Sequence, residues 1–480
     1  MEERKGFGTN FGFLMAAVGS AVGLGNIWGF PNKMGANGGF TFLIIYLLLA
    51  ACCGIIVMVG ELALGRKTGK GAVAAYHVLT KKFKWLGWLG ILSAFLILFF
   101  YCALGGYCMK YVVLNVGNLF GASFGSNGMN GAEVFSAFMQ NQTEGVIYGL
   151  LFVLLTMLIV MGGVGGGIEK VCSVGMPALF VILLICIIRA CTLPGAVNGL
   201  KYMFVPGWAL ANGVIKEAPD ILTVLSTAGG QMFFSLSLGM GVMITYGSYL
   251  NKKENIEKNA LLIVIMDTLV ALMAGLCVIP GRFALDPEGS LGGPSLLFVT
   301  MQNVFHNMPL GSLFGILFYL LVVFAAISSS ISLLEVIVAH FCDKAREKGK
   351  GDKRKAYSLI AAAAVGVGCI LICLDSLGGA GISPFNILGI EKDANGALPT
   401  WCDCWLDFFD CVSEGLLMPL GALLMCICVG WELGPKFVDD ECCLEGNSFK
   451  MKGFFNVCVK YVTPIIMLLV LYGQIKEFFF

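Results

Sequence analysis

Charge is scarce in this chain. Of its 480 residues, 13% are charged against 58% hydrophobic, and the mean hydropathy is +0.86. A soluble domain needs roughly 25% charged residues to cover its surface, so that class is excluded and a polytopic membrane protein is left. Histidine is scarcer still, with three scattered copies that offer no metal site. A formal net charge of +1 removes the basic excess that a nucleic-acid partner would call for. No Cys-x-x-Cys pair, no His-Glu-x-x-His and no recognised Ser or Asp catalytic motif occurs, so an enzyme is not expected. No cleavage signal follows Arg4 and Lys5, and the first apolar run is expected to remain as the first helix.

Cysteine and glycine, by contrast, are plentiful. The 19 cysteines lie mostly inside apolar runs (Cys52, Cys53, Cys186, Cys191, Cys426, Cys428), where they act as small hydrophobic residues. Eleven apolar runs are long enough to cross about 30 Å of hydrocarbon: 11–31, 40–64, 86–115, 145–162, 170–193, 221–250, 260–281, 311–341, 357–375, 405–431 and 456–473. They are numbered first to eleventh below. Lys and Arg crowd the N-terminus and every second loop, notably 66–84 and 344–355, while the opposite loops hold Lys201, Lys216 and Lys392. This bias predicts a cytoplasmic N-terminus and an external C-terminus. The outer loops at 117–144, 194–219, 283–310 and 376–401 are long and rich in Gly, Asn and Ser, and short surface helices are expected there. The sequon Asn141-Gln-Thr143 falls in the first of them and is read as incidental.

Two runs are weakened at their centres. "VGSAVGLGN" (18–26) puts three glycines, a serine and an asparagine into the first run, and "FFSLSLGMGVMITY" (233–246) does the same to the sixth. Each glycine costs a helix about 1 kcal/mol relative to alanine. Small residues serve close helix packing, but packing does not account for Asn26. Two broken helices five apart fit an inverted repeat with a binding site near the midplane. The expected architecture is a single domain over 1–480: a first repeat at 11–193, a second at 221–431, and an extra helix at 456–473.

"GSAVGLGNIWGFP", "NGGFTFLIIY", "GELALGR", "FFSLSLGMG" and "SSSISLLE", in that order, resemble signatures of the bacterial branch of the neurotransmitter:sodium symporter family. The resemblance runs from Arg4 to about Pro464. It implies an all-α integral membrane protein of eleven transmembrane helices, a 5+5 inverted repeat with discontinuous first and sixth helices, in a bacterial plasma membrane. It further implies one sodium ion held by the Ala21 carbonyl, Asn26, Ser235 and Asp267, and a second held by carbonyls of Gly19, Val22 and Ala325 with the Ser328 and Ser329 hydroxyls. The substrate carboxylate would meet the Leu24 and Gly25 amides and the Tyr101 hydroxyl, with Ala21 also against the substrate. The side-chain pocket would be Ile97, Phe234, Ser237, Met240, Ser329 and Leu333. Nothing there is charged, which favours an apolar or aromatic side chain. Chloride-dependent members carry asparagine where this chain has Asp267, and a serine where it has Ala271, so chloride independence is expected.

Arg4 and Asp343, with Phe7, Ser248 and Tyr249, match the family's inner gate. Asp410 matches its outer acidic residue, but Gly29 stands where an arginine is usual, leaving Lys33 as a possible substitute partner. Gly167 and Pro177 resemble a Gly-X9-Pro pattern that would let the fifth helix unwind. The expected activity is sodium-coupled uptake of a neutral amino acid by alternating access. Its partners are the amino acid, sodium ions and the bilayer. An amine or indole-like substrate, or a sensor on the same fold, are the alternatives, and proton exchange through Glu61 or Glu335 is left open.

Overall fold

The computed structural model describes residues 6–286, 293–349, 353–390 and 399–479, and all regular structure among them is helical. Among the described residues nine helices are long and apolar enough to cross a membrane, from Phe40–Thr68 to Lys452–Phe478. A bent pair, Asn10–Ala21 and Gly25–Ala36, meets at 45° and passes as a tenth. The sixth run is split into Ile221–Ser235 and Val242–Gly247. Fifteen residues span only about 22 Å, so eleven crossings are reached only by counting that split pair as one.

The two longest helices, Leu86–Phe120 and Gly311–Glu347, pack against each other along their length. Their apolar windows are 67% and 78% buried, whereas that of Val164–Cys191 is 28% buried. The third and eighth segments are therefore inner helices, and the fifth turns Val174, Val181, Leu184 and Ile188 outward. An exposed stripe of this kind is solvated by lipid tails, not water.

Alternate loops gather at opposite ends. At one end, Arg66 reaches the carbonyl of Glu254 and the carboxylate of Glu441, and Glu257 accepts from the amides of Lys450 and Met451. This is the end where the basic loops lie. At the other, short helices Gly131–Gln140, Ala196–Phe204 and Met301–Asn307 cap the bundle, as the loop compositions suggested. Asn141 of the sequon has a local use, since its side chain caps the helix Gln142–Met161.

The second half of the sixth segment, Val242–Gly247, rests on the second segment backbone to backbone. A Cβ on Gly247 would fall 2.6 Å from the Leu62 carbonyl oxygen, and one on Gly65 would overlap that of Ile244. Gly65→Ala should therefore cost about 1–3 kcal/mol by overpacking, whereas Gly175→Ala, facing open space inside a helix, should cost nothing. Thermal unfolding of the purified protein in detergent separates the two. Equal melting temperatures would mean that this close contact is not maintained.

Candidate functional site

The two breaks face each other. The first helix ends at Ala21, and Val22 is extended (ψ 95°) before the chain resumes helical winding at Gly25. The sixth segment ends its first helix at Ser235, then passes through left-handed backbone at Ser237 (φ 54°), Gly239 (φ 78°) and Gly241 (φ 75°). Backbone groups freed in this way need partners inside a membrane protein. The Gly23 N–H donates to Asn26 Oδ1 at 3.0 Å, and the Leu24 N–H to the Tyr101 hydroxyl at 2.8 Å. The Gly239 N–H donates to Glu61 Oε1 at 2.8 Å. The Ser237 hydroxyl donates to the Ser20 carbonyl at 3.0 Å, and Gln231 Nε2 to the Gly25 carbonyl at 2.7 Å, so each break braces the other.

Between them lies a small cavity lined by Ser20, Ala21, Gly23, Gly25, Ile97, Tyr101, Phe234, Ser237, Met240, Ser329 and Leu333. Nine of the ten residues expected around the substrate are on that wall. The tenth, Leu24, is not, and its amide is taken by Tyr101. Ser20 and Gly23 were not foreseen, although both belong to the glycine-rich stretch that marks the break. A Cβ on Gly23 would overlap both the Ser329 and Tyr101 hydroxyl oxygens, which shows how closely the first, third and eighth segments converge.

Beside the cavity, Asp267 collects three donors. Asn26 Nδ2 lies 2.7 Å from one carboxylate oxygen, the Ser235 hydroxyl 3.0 and 2.9 Å from the two, and the Tyr46 hydroxyl 3.4 Å away. Asn26, Ser235 and Asp267 are fully buried, and among the described residues no cationic side chain forms an ion pair with Asp267. An ionised carboxylate in such surroundings is costly unless a cation stands beside it. The donor set is oxygen-rich and hard, which suits an alkali or alkaline-earth ion. Ala21, as the last residue of its helix, adds a carbonyl with no partner inside that helix.

A second oxygen cluster lies where the first segment meets the eighth. The Ser328 hydroxyl is 2.9 Å from the Ala325 carbonyl and 3.4 Å from that of Val22. The Ser329 hydroxyl is 3.3 Å from the Gly19 carbonyl and 2.9 Å from that of Ser20. The five groups expected around a second ion thus fall into two hydrogen-bonded sets carried by adjacent serines, Ser328 with Val22 and Ala325, and Ser329 with Gly19.

At the basic end Tyr249 donates to Glu335 at 2.7 Å, and Arg354 forks onto the same carboxylate at 2.6 and 2.9 Å. Arg354 was missed because it lies in a run of seven basic residues, where nothing singles it out. Phe7 packs edge-on against Tyr246 and Tyr249, at 5.7 and 6.1 Å between ring centres. Asp343 accepts the Gly71 N–H at 2.9 Å. Its expected partner Arg4 lies outside the described residues. Gly167 sits in a π-wound turn, Val164–Ile168, and the helix runs on through Pro177 to Cys191 without unwinding.

At the opposite end the expected pairing is corrected. Lys33 forms its ion pair with Glu414, one turn beyond Asp410. Asp410 and Glu414 are four residues apart and share the helix face turned to the first segment, and Glu414 makes the direct contact. The place beside Gly29 is taken by Gln231, whose Oε1 would lie 2.9 Å from a Cβ there. Gln231, an amide in the middle of an apolar run, was overlooked although buried polar groups in such runs are rare and telling.

A family model described as the sodium:neurotransmitter symporter family matches residues 4–147 and 141–392. An uncharacterised sodium-dependent transporter of Bacillus subtilis is 34% identical over 473 residues, covering 96% of this chain and 96% of its own. One from Methanocaldococcus jannaschii is 31% identical over 490 residues, covering 98% and 90%. Among solved structures, that of MhsT in complex with L-phenylalanine aligns with a TM-score of 0.82 at 32% identity, covering 98% of this chain and all of the other.

Glu335 and Arg354 offer a test that needs no ligand. Removing one partner of a buried ion pair strands the other charge, at about 3–5 kcal/mol. Arg354→Met should therefore lower the unfolding temperature sharply, and Glu335→Gln added to it should recover much of the loss. A double variant as unstable as the sum of the singles would mean that the two side chains act separately.

Proposed function

The chain belongs to the sodium:neurotransmitter symporter family, and on that premise we propose that it imports a neutral, hydrophobic or aromatic amino acid with sodium, without chloride, by alternating access. It is a multi-pass sodium-dependent transporter, not an enzyme, and sodium is the ion it co-transports. The observation that carries the substrate assignment is the cavity between the two breaks. Its wall holds backbone, hydroxyl, aliphatic and aromatic groups but no charged side chain, so an acidic or basic substrate side chain would be buried unpaired. That the MhsT structure was obtained with L-phenylalanine supports the aromatic end of this range.

In this reading Ala21, Asn26, Ser235 and Asp267 hold one sodium ion beside the substrate. Gly19, Val22, Ala325, Ser328 and Ser329 hold the other. Leu24, Gly25 and Tyr101 receive the carboxylate, with Tyr101 exchanging its bond from Leu24 for one to substrate. Ion and substrate share a ligand shell, so each raises the other's affinity by the same factor. Asp267 supplies a fixed negative charge, and an added anion has no role. The basic loops face the cytoplasm, and the halves 11–193 and 221–431 move as inverted repeats. Sodium entering at −100 mV then releases about 2.3 kcal/mol per charge from the potential alone.

Purified protein in liposomes should accumulate labelled phenylalanine when sodium is imposed outside, and replacing chloride by gluconate should leave the rate unchanged. A several-fold loss in gluconate would overturn the role given to Asp267. Uptake of an aromatic amine in place of the amino acid would overturn the substrate assignment.

Ser328→Ala with Ser329→Ala removes two of five oxygens while hardly changing volume. The sodium concentration for half-maximal uptake should rise about tenfold, the equivalent of about 1.4 kcal/mol. An unaltered sodium dependence would mean that these hydroxyls only satisfy backbone carbonyls.

A further inference from the structure

We infer that Glu169 fastens the inner half of the first segment to the start of the fifth, and so sets how readily the cytoplasmic side opens; this rests on the alternating-access reading. Glu169 is the residue that follows the π-wound turn Val164–Ile168, itself preceded by Gly163 at φ 77°. Its carboxylate reaches across to the beginning of the first helix. Oε2 accepts the Gly8 N–H at 2.8 Å, and Oε1 accepts the Thr9 hydroxyl at 3.2 Å. Thr9 is also the cap of that helix, its hydroxyl accepting the Gly12 N–H at 2.9 Å. One carboxylate therefore holds both the approach to the helix and the residue that starts it.

Gly12 marks this contact as built into the sequence. It lies inside Asn10–Ala21, where alanine would favour the helix. A Cβ there would overlap the Glu169 carboxyl group, so glycine leaves room for the carboxylate. The same helix carries the Gly19 carbonyl, beside Ser329, near its other end. The fifth carries Cys172, whose Sγ would lie 3.2 Å from a Cβ on Gly19. Exposing this region to the cytoplasm requires the two helices to part, and the Glu169 contacts lie at the open end, where separation is largest. These contacts are solvent-exposed, so water replaces them at modest cost. They bias the closed state without locking it.

Cys172 is buried and free, which makes it a native reporter. Full-length protein in nanodiscs, without substrate or sodium, is alkylated with N-ethylmaleimide, and each cysteine is followed by peptide mass spectrometry. Glu169→Ala should raise Cys172 labelling about three- to tenfold, since a ligand-free equilibrium shifts by the strength of the contact removed. Gly12→Ala should do the same although it favours the helix, and the double variant should exceed neither single. Glu169→Gln, which still offers Oε1 to Gly8, should fall between. Labelling of Cys108, buried in the third segment, should stay at the wild-type rate in every variant. If Cys172 reacts at the wild-type rate in both Glu169→Ala and Gly12→Ala, the proposal is overturned, and so it is if Cys108 rises in step with Cys172. The measurement uses no substrate, so an error in the substrate assignment would not alter it.

Discussion

Inside a bilayer no water is available to satisfy an open peptide group, and the centre of this protein answers to that constraint. Interrupting two helices at the middle of the fold frees N–H and C=O groups that must be matched by side chains or by a ligand. Tyr101, Asn26, Glu61, Ser237 and Gln231 each meet one such group within 3.0 Å. These residues come from the first, second, third and sixth segments, so the local cost of each break is shared among four segments. The cavity is the space that this arrangement leaves open.

Buried charge is handled differently at each level of the bundle. Glu335 is neutralised by a forked arginine and a tyrosine hydroxyl, which makes a stiff joint between the sixth, eighth and ninth segments. Glu414 meets Lys33 across the first and tenth. Among the described residues Asp267 meets only neutral donors, as Glu61 does, and a mobile cation beside Asp267 would complete its charge. A fixed partner suits a structural or gating contact, whereas a missing one suits a site whose partner comes and goes.

The two helical breaks were legible in the linear sequence because they announce themselves, whereas wall residues such as Ile97, Tyr101, Ser329 and Leu333 came only from the family resemblance. Glycine and polar residues in the middle of an apolar run are expensive, so positions such as Asn26, Ser235 and Ser237 stand out. Asp267 stands out for the same reason. Arg354 did not, since an arginine in a basic loop is ordinary by composition, and Lys33 was named only as a stand-in for the arginine that Gly29 replaces. Asp410 was foreseen as the partner of Lys33, yet the ion pair is made by Glu414, one turn further along the same face. Glu169 was equally silent, one acid at the start of a helix, until the fold set it against Gly8 and Gly12.

The sequence by itself determined the solvent, the places where helices begin and fail, and the chemical character of the residues at the two failures. Those properties depend on composition and short-range periodicity, which a linear chain displays. Which carbonyl faces which hydroxyl, which carboxylate meets which cation, and which glycine makes room for a neighbour were decided only by the tertiary structure. They depend on helix register and rotation, where a change of one residue turns a side chain by about 100°, and on neighbours hundreds of positions away. Ser329 finding the carbonyls of Gly19 and Ser20 is of that second kind.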